Sequence, residues 1–174
     1  HNSSQPLTLT KYGNTSAVDF HNCFIGIHLD NCPCDIRNNR FHRVSLGINS
    51  VDALHRSLTM INNTIDCSYA GIYVKLDVGP LYSLDISENT IFLNPTGTSQ
   101  FKHGIYIGNL YGYYPDDQAS INNNEVRVGT GGLNVIKLHN CRGISVIENS
   151  VLLNDCSSNL SGINLTSGGD NLVL

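Results

Sequence analysis

The chain has 174 residues, 40% of them hydrophobic and 14% charged, and carries a formal net charge of −4. This composition is typical of one globular domain and excludes a disordered chain. The few Lys and Arg residues are scattered and no apolar run reaches the length of a membrane-spanning helix, so we expect neither a nucleic-acid partner nor a membrane span.

We predict a single domain over residues 1–174, in which residues 1–17 form an N-terminal segment that leads into the repeats and residues 18–174 form the repeats themselves. The chain starts at His1, without a signal-peptide h-region. This start predicts that the chain is a fragment of a larger protein.

Six short segments place an isoleucine in second position and alternate apolar with other residues. In chain order they are residues 26–29, 47–49, 71–74, 104–107, 135–138 and 162–165. Such period-2 alternation predicts a short β-strand. We call these six segments the glycine segments, because five of them begin with Gly. In the fifth segment Val135 takes the place of the glycine. We chose this alignment because residues 29–32 and 138–141, which follow the first and fifth segments, share the pattern L-x-N-C.

A second pattern, I-x-x-N-x-I, interleaves with the glycine segments. It occupies residues 36–41, 60–65, 86–91, 121–126 and 146–151, with other apolar residues replacing Ile in some copies. Its apolar pair, such as Ile86 and Ile91, is predicted to point into a narrow core. The asparagine is predicted to lie at a corner with a left-handed backbone and to bond the equivalent amide of the next repeat. The predicted ladder is Asn39, Asn63, Asn89, Asn124 and Asn149.

The ladder asparagines recur every 24 to 35 residues, with two apolar strands in each period and no helical spacing. This repeat predicts an all-β fold, a single-stranded right-handed parallel β-helix (a solenoid) of about six coils. Leucine-rich repeats would need an L-x-x-L-x-L core and a helical return. A β-sandwich remains an alternative, although it does not require an asparagine at a fixed place in each period.

The interleaved G-I-x-[VIL] and I-x-x-N-x-[IVF] segments resemble the parallel β-helix repeats of the pectate lyase-like superfamily, especially those of bacteriophage tailspike proteins. The resemblance covers about residues 18–165. It implies an extracellular or virion-surface protein that contacts polysaccharide, and a homotrimer. The polygalacturonase-type motifs N-T-D, G-H-G and R-I-K are absent, so no catalytic residue is carried over from the family.

Six cysteines are distributed along the chain without a C-x-x-C pair: Cys23, Cys32, Cys34, Cys67, Cys141 and Cys156. Their spacing matches zinc sites weakly. We interpret them as small buried hydrophobic residues, and disulfide pairing stays open because connectivity does not follow from sequence.

The outward residues of the glycine segments are predicted to form a column on one lateral face. In order they are His28, Asn49, Tyr73, Tyr106, Lys137 and Asn164, and two positions further along come Asp30, Val51, Lys75, Gly108, His139 and Thr166. Tyrosine rings pack on the apolar side of a pyranose, while amides and charged groups bond its hydroxyls. The column therefore predicts a polysaccharide-binding surface, although a merely solvated face would also be polar.

Long connections come after two neighbouring glycine segments, at residues 77–83 and 108–118, and we expect both to protrude at the same edge. They bring aromatic and acidic residues to that edge: Asp77, Tyr82, Tyr111, Tyr113, Tyr114, Asp116 and Asp117. Long loops on a rigid scaffold are typical of functional sites. The alternative is that the tyrosines pack each loop against its own coil or another subunit.

The predicted substrate-binding residues are His28, Tyr73, Tyr82, Tyr106, Tyr111, Tyr113, Tyr114, Lys137 and His139, and the predicted catalytic residues are Lys75, Asp77, Asp116 and Asp117. Hydrolysis needs two carboxylates about 5–9.5 Å apart, which Asp77 would form with Asp116 or Asp117. β-Elimination needs a base such as Lys75 and sometimes Ca²⁺ held by carboxylates.

We predict no metal site and no cofactor, apart from Ca²⁺ if the protein is a lyase. Three functions stay open at this point: a glycan-cleaving enzyme, a glycan-binding domain, and a structural shaft or trimerisation stem. The remaining histidines, His42, His55 and His103, are expected near turns, solvated or bonded to the backbone.

Overall fold

The computed structural model describes residues 7–9, 13–53, 56–79, 81–95, 102–110, 118–129, 134–153, 161–169 and 172–173. These residues form β-strands and no helix, so the fold is all-β. The strands are β1 (Leu7–Leu9), β2 (Gly13–Ser16), β3 (Asp19–His21), β4 (Ile25–Asp30), β5 (Cys34–Arg37), β6 (Arg40–Val51), β7 (Ser57–Ile61), β8 (Thr64–Gly79), β9 (Ser83–Ser87), β10 (Thr90–Leu93), β11 (His103–Leu110), β12 (Gln118–Asn122), β13 (Glu125–Val128), β14 (Asn134–Arg142), β15 (Ile144–Ile147), β16 (Ser150–Leu153), β17 (Ser161–Gly169) and β18 (Leu172–Val173).

The strands form three stacks in which each strand pairs in parallel with the equivalent strand of the next repeat. The first stack is β2-β5-β7-β9-β12-β15-β18. The second contains β3, β10, β13, β16 and the first halves of β6 and β8, and the third contains β1, β4, β11, β14, β17 and the second halves of β6 and β8. Because β6 and β8 run through both, the second and third stacks belong to one sheet.

Each repeat therefore has three strand segments rather than the two predicted. The I-x-x-N-x-I pattern is divided by its asparagine, so that Ile86 lies in β9 of the first stack and Ile91 in β10 of the second. The corner predicted at the asparagine therefore separates two strands, which the prediction had counted as one.

Apolar side chains of all three stacks fill one core, as predicted. Ile36, Met60 and Ile86 are aligned along the first stack and have no solvent exposure. In the second stack the rings of Phe20 and Phe41 stack with centroids 4.7 Å apart. Each such side chain contributes about 1.5–3 kcal/mol on burial, so the aligned core is the main stabilising feature of the repeats.

The asparagine corner, defined by Asn39, Asn63, Asn89, Asn124 and Asn149, confirms the predicted ladder. The Oδ1 of Asn89 accepts from the backbone N–H of Asn63 at 2.9 Å and from its Nδ2 at 3.0 Å. The Nδ2 of Asn63 also donates to the carbonyl of Ile36 at 3.0 Å. The same bonds link Asn39 to Asn63 and continue through Asn124 to Asn149.

The prediction of a left-handed backbone at these asparagines was wrong by one residue. Positive φ occurs at the preceding position, for example 53° at Asn62, 57° at Glu88 and 53° at Asn123. The ladder residue itself keeps an ordinary backbone because its amide must point inward to meet the next repeat, and the residue before it makes the turn.

Glycine is required where the third stack begins. A Cβ on Gly71 would lie 2.7 Å from a methyl of Ile91 and 2.8 Å from the carbonyl oxygen of Gly104, and Gly47 is equally crowded against Ile65. The register Ile105–Ile136 places Val135 opposite Gly104, which confirms the alignment made from the L-x-N-C pattern.

The five cysteines within the described residues, Cys23, Cys32, Cys34, Cys67 and Cys141, are buried and form no disulfide with one another. Burial raises the pKa of the Cys34 thiol to about 12. For these five the interpretation as small hydrophobic residues is confirmed, whereas Cys156 lies outside the described residues. The part of the chain that the structure describes also contains no helix that could cross a bilayer.

Candidate functional site

The outer face of the third stack carries the two predicted columns in register. Tyr106 is aligned with Tyr73 on one side and with Lys137 on the other. In the second column Gly108 is aligned with Lys75 and with His139. The parallel pairing thus brings together six residues that are spread over 67 positions of sequence, from 73 to 139.

Tyr73 and Tyr106 form a stacked pair at the centre of this face. Their ring centroids lie 4.7 Å apart with an interplanar angle of 9°. Both side chains are half-buried, and loss of hydration, together with the neighbouring phenol of Tyr69, raises the pKa of each hydroxyl. The phenols therefore stay protonated and can donate a hydrogen bond at neutral pH. We call the surface formed by Tyr69, Tyr73, His103, Tyr106 and Lys137 the tyrosine face.

Tyr106 lies along its own strand and covers Gly108. A Cβ at Gly108 would lie 2.8 Å from the Cε1 and 2.8 Å from the hydroxyl oxygen of Tyr106. Glycine is therefore needed at this position for the ring to lie on the strand. The result is an aromatic surface with Lys75 and His139 beside it in the second column.

His103 lies under this surface. It is 1% exposed, and its ring stacks on Tyr106 with centroids 5.3 Å apart. Neither ring nitrogen has a hydrogen-bond partner among the described residues. Burial, with a smaller contribution from the charge of Lys137, lowers the pKa of His103 to about 4. A neutral imidazole with both polar atoms unsatisfied is costly, at about 1–3 kcal/mol for each buried group.

The expectation that His103 is solvated or bonded to backbone was wrong. His103 lies two positions before the buried Ile105, so the alternation of the strand indicates an inward side chain, and the ring of Tyr106 stacks on it. His42 is exposed, as expected, and stacks on His21. His55 lies outside the described residues.

Asp77 lies beside an acid that the sequence pattern did not single out. Asp77 lies close enough to Asp52 for its negative charge to act on the Asp52 carboxyl. Partial burial, then the charge of Asp77, and then the charge of Asp30 raise the pKa of Asp52, while Lys75 opposes them. We call Asp52 and Asp77 the acid pair. The signal that was overlooked is that Asp52 directly follows Val51, which is aligned with Lys75.

The acid pair differs from the pair predicted for hydrolysis, in which Asp77 has Asp116 or Asp117 as its partner. Among the described residues Asp77 has Asp52 as an acidic neighbour, and two neighbouring carboxylates raise the pKa of one of them. Asp77 was also expected in a loop, but β8 continues to Gly79, and β11 likewise continues to Leu110.

Several predicted residues do not join this site in the described structure. Tyr111, Tyr113, Tyr114, Asp116 and Asp117 lie outside the described residues, so their predicted roles stay predictions. Tyr82 is 60% exposed and immediately precedes β9. His28 is on the predicted column, but its Nδ1 lies 2.9 Å from the Nδ2 of Asn49.

Within the described ranges, no group of three or more His, Cys, Asp or Glu residues has the arrangement of a metal site. A comparison of the chain with protein families, with curated proteins and with solved structures finds no match. The function of the chain is therefore inferred from its repeats and from the geometry of these residues.

Proposed function

We propose that the chain is a right-handed parallel β-helix of about six coils that binds a polysaccharide on its tyrosine face. The parallel pairing of each strand with its equivalent in the next repeat supports this fold, because a chain that visits three stacks in fixed order must wind. The resemblance to tailspike and other pectate lyase-like repeats supports an extracellular or virion-surface protein.

The observation that carries the binding proposal is the stacked pair Tyr73–Tyr106. A pyranose has an apolar side that packs on aromatic surface and a rim of hydroxyls that need polar partners. Tyr106 supplies such a surface over Gly108, and Lys75, Lys137 and His139 lie next to it in the aligned columns. Phenol hydroxyls whose pKa is raised add donors that remain protonated.

The test is affinity electrophoresis in gels that contain bacterial capsule, O-antigen or plant polysaccharide. We expect retardation in at least one of these gels, and a loss of affinity of about tenfold in the double variant Tyr73→Ala/Tyr106→Ala, corresponding to about 1.4 kcal/mol. Phe24→Ala is the matched control, because Phe24 is an aromatic residue that is 67% exposed and lies outside the face. Equal retardation of the double variant and the control contradicts the proposal.

Cleavage of the bound glycan is the second candidate function. It is favoured by the position of the acid pair near Lys75, where burial and the charge of Asp77 raise the pKa of Asp52, a shift in the direction that general-acid catalysis needs. Reducing ends and the absorbance of unsaturated uronates should then increase with time, and Asp77→Asn should slow both. Absence of both signals on every polysaccharide of the panel rejects cleavage of those substrates.

The structural alternative is a shaft that assembles as a homotrimer. Its support is the resemblance to tailspike repeats, which implies contacts between subunits. A trimer in light scattering, combined with no retardation in any gel, would replace glycan binding by this function.

A further inference from the structure

A change of backbone geometry marks the corner between the second and third stacks. In β6 three residue steps separate Phe41 from Val44, whereas two steps separate their partners Ile65 and Cys67 in β8. The extra residue makes a bulge, and Arg43 within it has a φ of 54°. A left-handed backbone at a residue other than Gly, Asn or Asp is strained and is often associated with function.

A cavity opens at this corner, where β8 in turn has one extra residue between Cys67 and Ala70, the partners of Val44 and Leu46. It has a volume of about 390 Å³, and it is lined by Arg43, Val44, Ser45, Asp66, Cys67, Ser68 and Asn94. An adjoining cavity of about 310 Å³ shares Arg43 and is lined also by His21, Asn22 and His42. We call the two cavities together the bulge groove, which lies on a different outer surface from the tyrosine face.

Arg43 and Asp66 line the same cavity without pairing. The ion pairs among the described residues are Asp35–Arg37 and Glu125–Arg127, and neither involves the groove. The carboxylate of Asp66 is oriented by the Nδ2 of Asn94, which donates to it at 3.1 Å. A guanidinium with hydrogen-bond donors and a carboxylate with acceptor positions therefore line the same cavity.

The opposite charges of Arg43 and Asp66 influence which ligands fit the cavity. An anionic ligand would be repelled by Asp66, and a cationic ligand would be repelled by Arg43. A neutral ligand with adjacent hydroxyls satisfies both groups, because each hydroxyl can donate to the carboxylate and accept from the guanidinium. The hydroxyls of Ser45 and Ser68, 3.4 Å apart, add further polar atoms to the wall of the cavity.

We propose that the bulge groove is a binding site for a neutral sugar residue, with Arg43 and Asp66 bonding two adjacent hydroxyls. A cavity of about 390 Å³ is within the size range of small-molecule sites. His21 and His42, whose rings stack with centroids 5.0 Å apart, line the adjoining cavity together with Asn22 and would contact a second sugar unit there. This site does not depend on the tyrosine face, which has other residues and its own test.

The experiment measures backbone amide chemical shifts of the chain during titration with the methyl glycosides of glucose, galactose, mannose and rhamnose. We expect at least one glycoside to shift the amides of Arg43, Asp66 and Asn94. The variants Arg43→Gly and Asp66→Asn should each weaken this binding about tenfold, the effect of one lost charge-assisted hydrogen bond. Arg37→Gln is the matched control, because Arg37 is paired with Asp35 in the first stack.

The two variants separate binding from folding. Glycine relieves the left-handed backbone at position 43, so Arg43→Gly should keep or raise the melting temperature while losing the sugar. Asp66→Asn retains an oxygen that can accept from Asn94. Glucuronate and glucosamine serve as charged probes and should bind more weakly than the neutral sugar.

The inference is overturned if no glycoside shifts these amides, if the two variants bind as well as the control, or if glucuronate binds most tightly and depends on Arg43 alone. The polysaccharide gels keep the two proposals apart. If the Tyr73→Ala/Tyr106→Ala variant loses retardation and the amides of Arg43, Asp66 and Asn94 do not shift, the tyrosine face is retained as a binding site and the groove is rejected. If this variant is retarded like the unchanged chain and the amides shift, the groove is retained and the tyrosine face is rejected.

Discussion

The asparagine corner has the same residue in five successive repeats, whereas the aligned column through the tyrosine face has a different residue in almost every repeat. At the corner each amide accepts from the repeat before it and donates to a backbone carbonyl. On the face the column runs from His28 through Asn49, Tyr73 and Tyr106 to Lys137. Both are built from the same parallel register, so register alone does not make a site.

The difference lies in how the polar groups are satisfied. The ladder amides of Asn63 and Asn89 have their hydrogen-bonding atoms paired inside the protein, which leaves nothing for a ligand. The tyrosine face contains a buried imidazole, His103, whose nitrogens lack partners among the described residues. Repeated polar groups whose hydrogen bonds are satisfied stabilise the fold. A binding surface instead needs side chains that differ between repeats and polar groups that are not already paired.

The largest effect is expected from breaking the corner with Asn63→Ala. This change removes the acceptor for the backbone N–H of Asn39 and the donor to Ile36, and both groups are buried. We expect a loss of about 4 kcal/mol in the free energy of unfolding, measured by urea titration. Asn94→Ala is the control, because Asn94 is exposed and its Nδ2 bonds the carboxylate of Asp66 rather than a buried backbone group. Its loss should be about 1 kcal/mol, and equal losses would show that the ladder has no special role.

The same contrast explains how much of the fold could be predicted. Ile86, Asn89 and Ile91 could be assigned to the core because their environment is repeated and leaves the same pattern in every copy. The corner itself was placed one residue late, because the sequence shows which side chain is selected and not which backbone turns.

Less of the candidate sites could be predicted, because they depend on single repeats. The contact of Asp52 with Asp77 and the bulge at Arg43 each occur where one repeat departs from its neighbour. A repeat pattern records only what the repeats share, so it does not show a feature that occurs in a single repeat.

The second-largest effect is a pH dependence of stability that comes from His103 on the tyrosine face. His103 has a pKa lowered to about 4 in the folded chain, against about 6.5 when unfolded. The unfolded chain therefore binds more protons between these values, and stability present above about pH 6.5 is lost as the pH falls toward 4. The loss should be about 3 kcal/mol, measured by urea titration across this range. His103→Phe should remove this part of the pH dependence, whereas His42→Phe, which changes an exposed ring, should leave it. An unchanged pH profile in His103→Phe would contradict the assignment.

A smaller effect is expected from filling the close contact at Gly71, where the third stack begins. Gly71→Ala forces a methyl group against Ile91 and the carbonyl of Gly104, and we expect it to cost about 2 kcal/mol, seen as a lower melting temperature. The matched control is Gly162→Ala in the last repeat, where an added Cβ meets no atom within 4 Å. A loss in the control as large as that in Gly71→Ala would show that glycine acts through the unfolded chain rather than through this contact.

The smallest effect is expected from the acid pair. Partial burial and the charge of Asp77 raise the pKa of Asp52 above its ordinary value. As the pH rises through that ordinary value, the unfolded chain releases this proton before the folded chain does. The folded state therefore loses stability until its own pKa is passed. Asp52→Asn removes this loss and also suits the backbone φ of 55°.

Asp52→Asn should accordingly raise the melting temperature slightly near pH 7, and the gain should shrink at about pH 3, where the carboxyl is protonated in both states. Asp85→Asn in the first stack is the control for removing one negative charge from an acidic chain. If both variants gain equally at pH 7, the gain reflects net charge, and Asp52 and Asp77 do not act as a pair. A gain confined to Asp52→Asn would show that the outer surface retains an interaction that costs stability, in contrast to the asparagine corner.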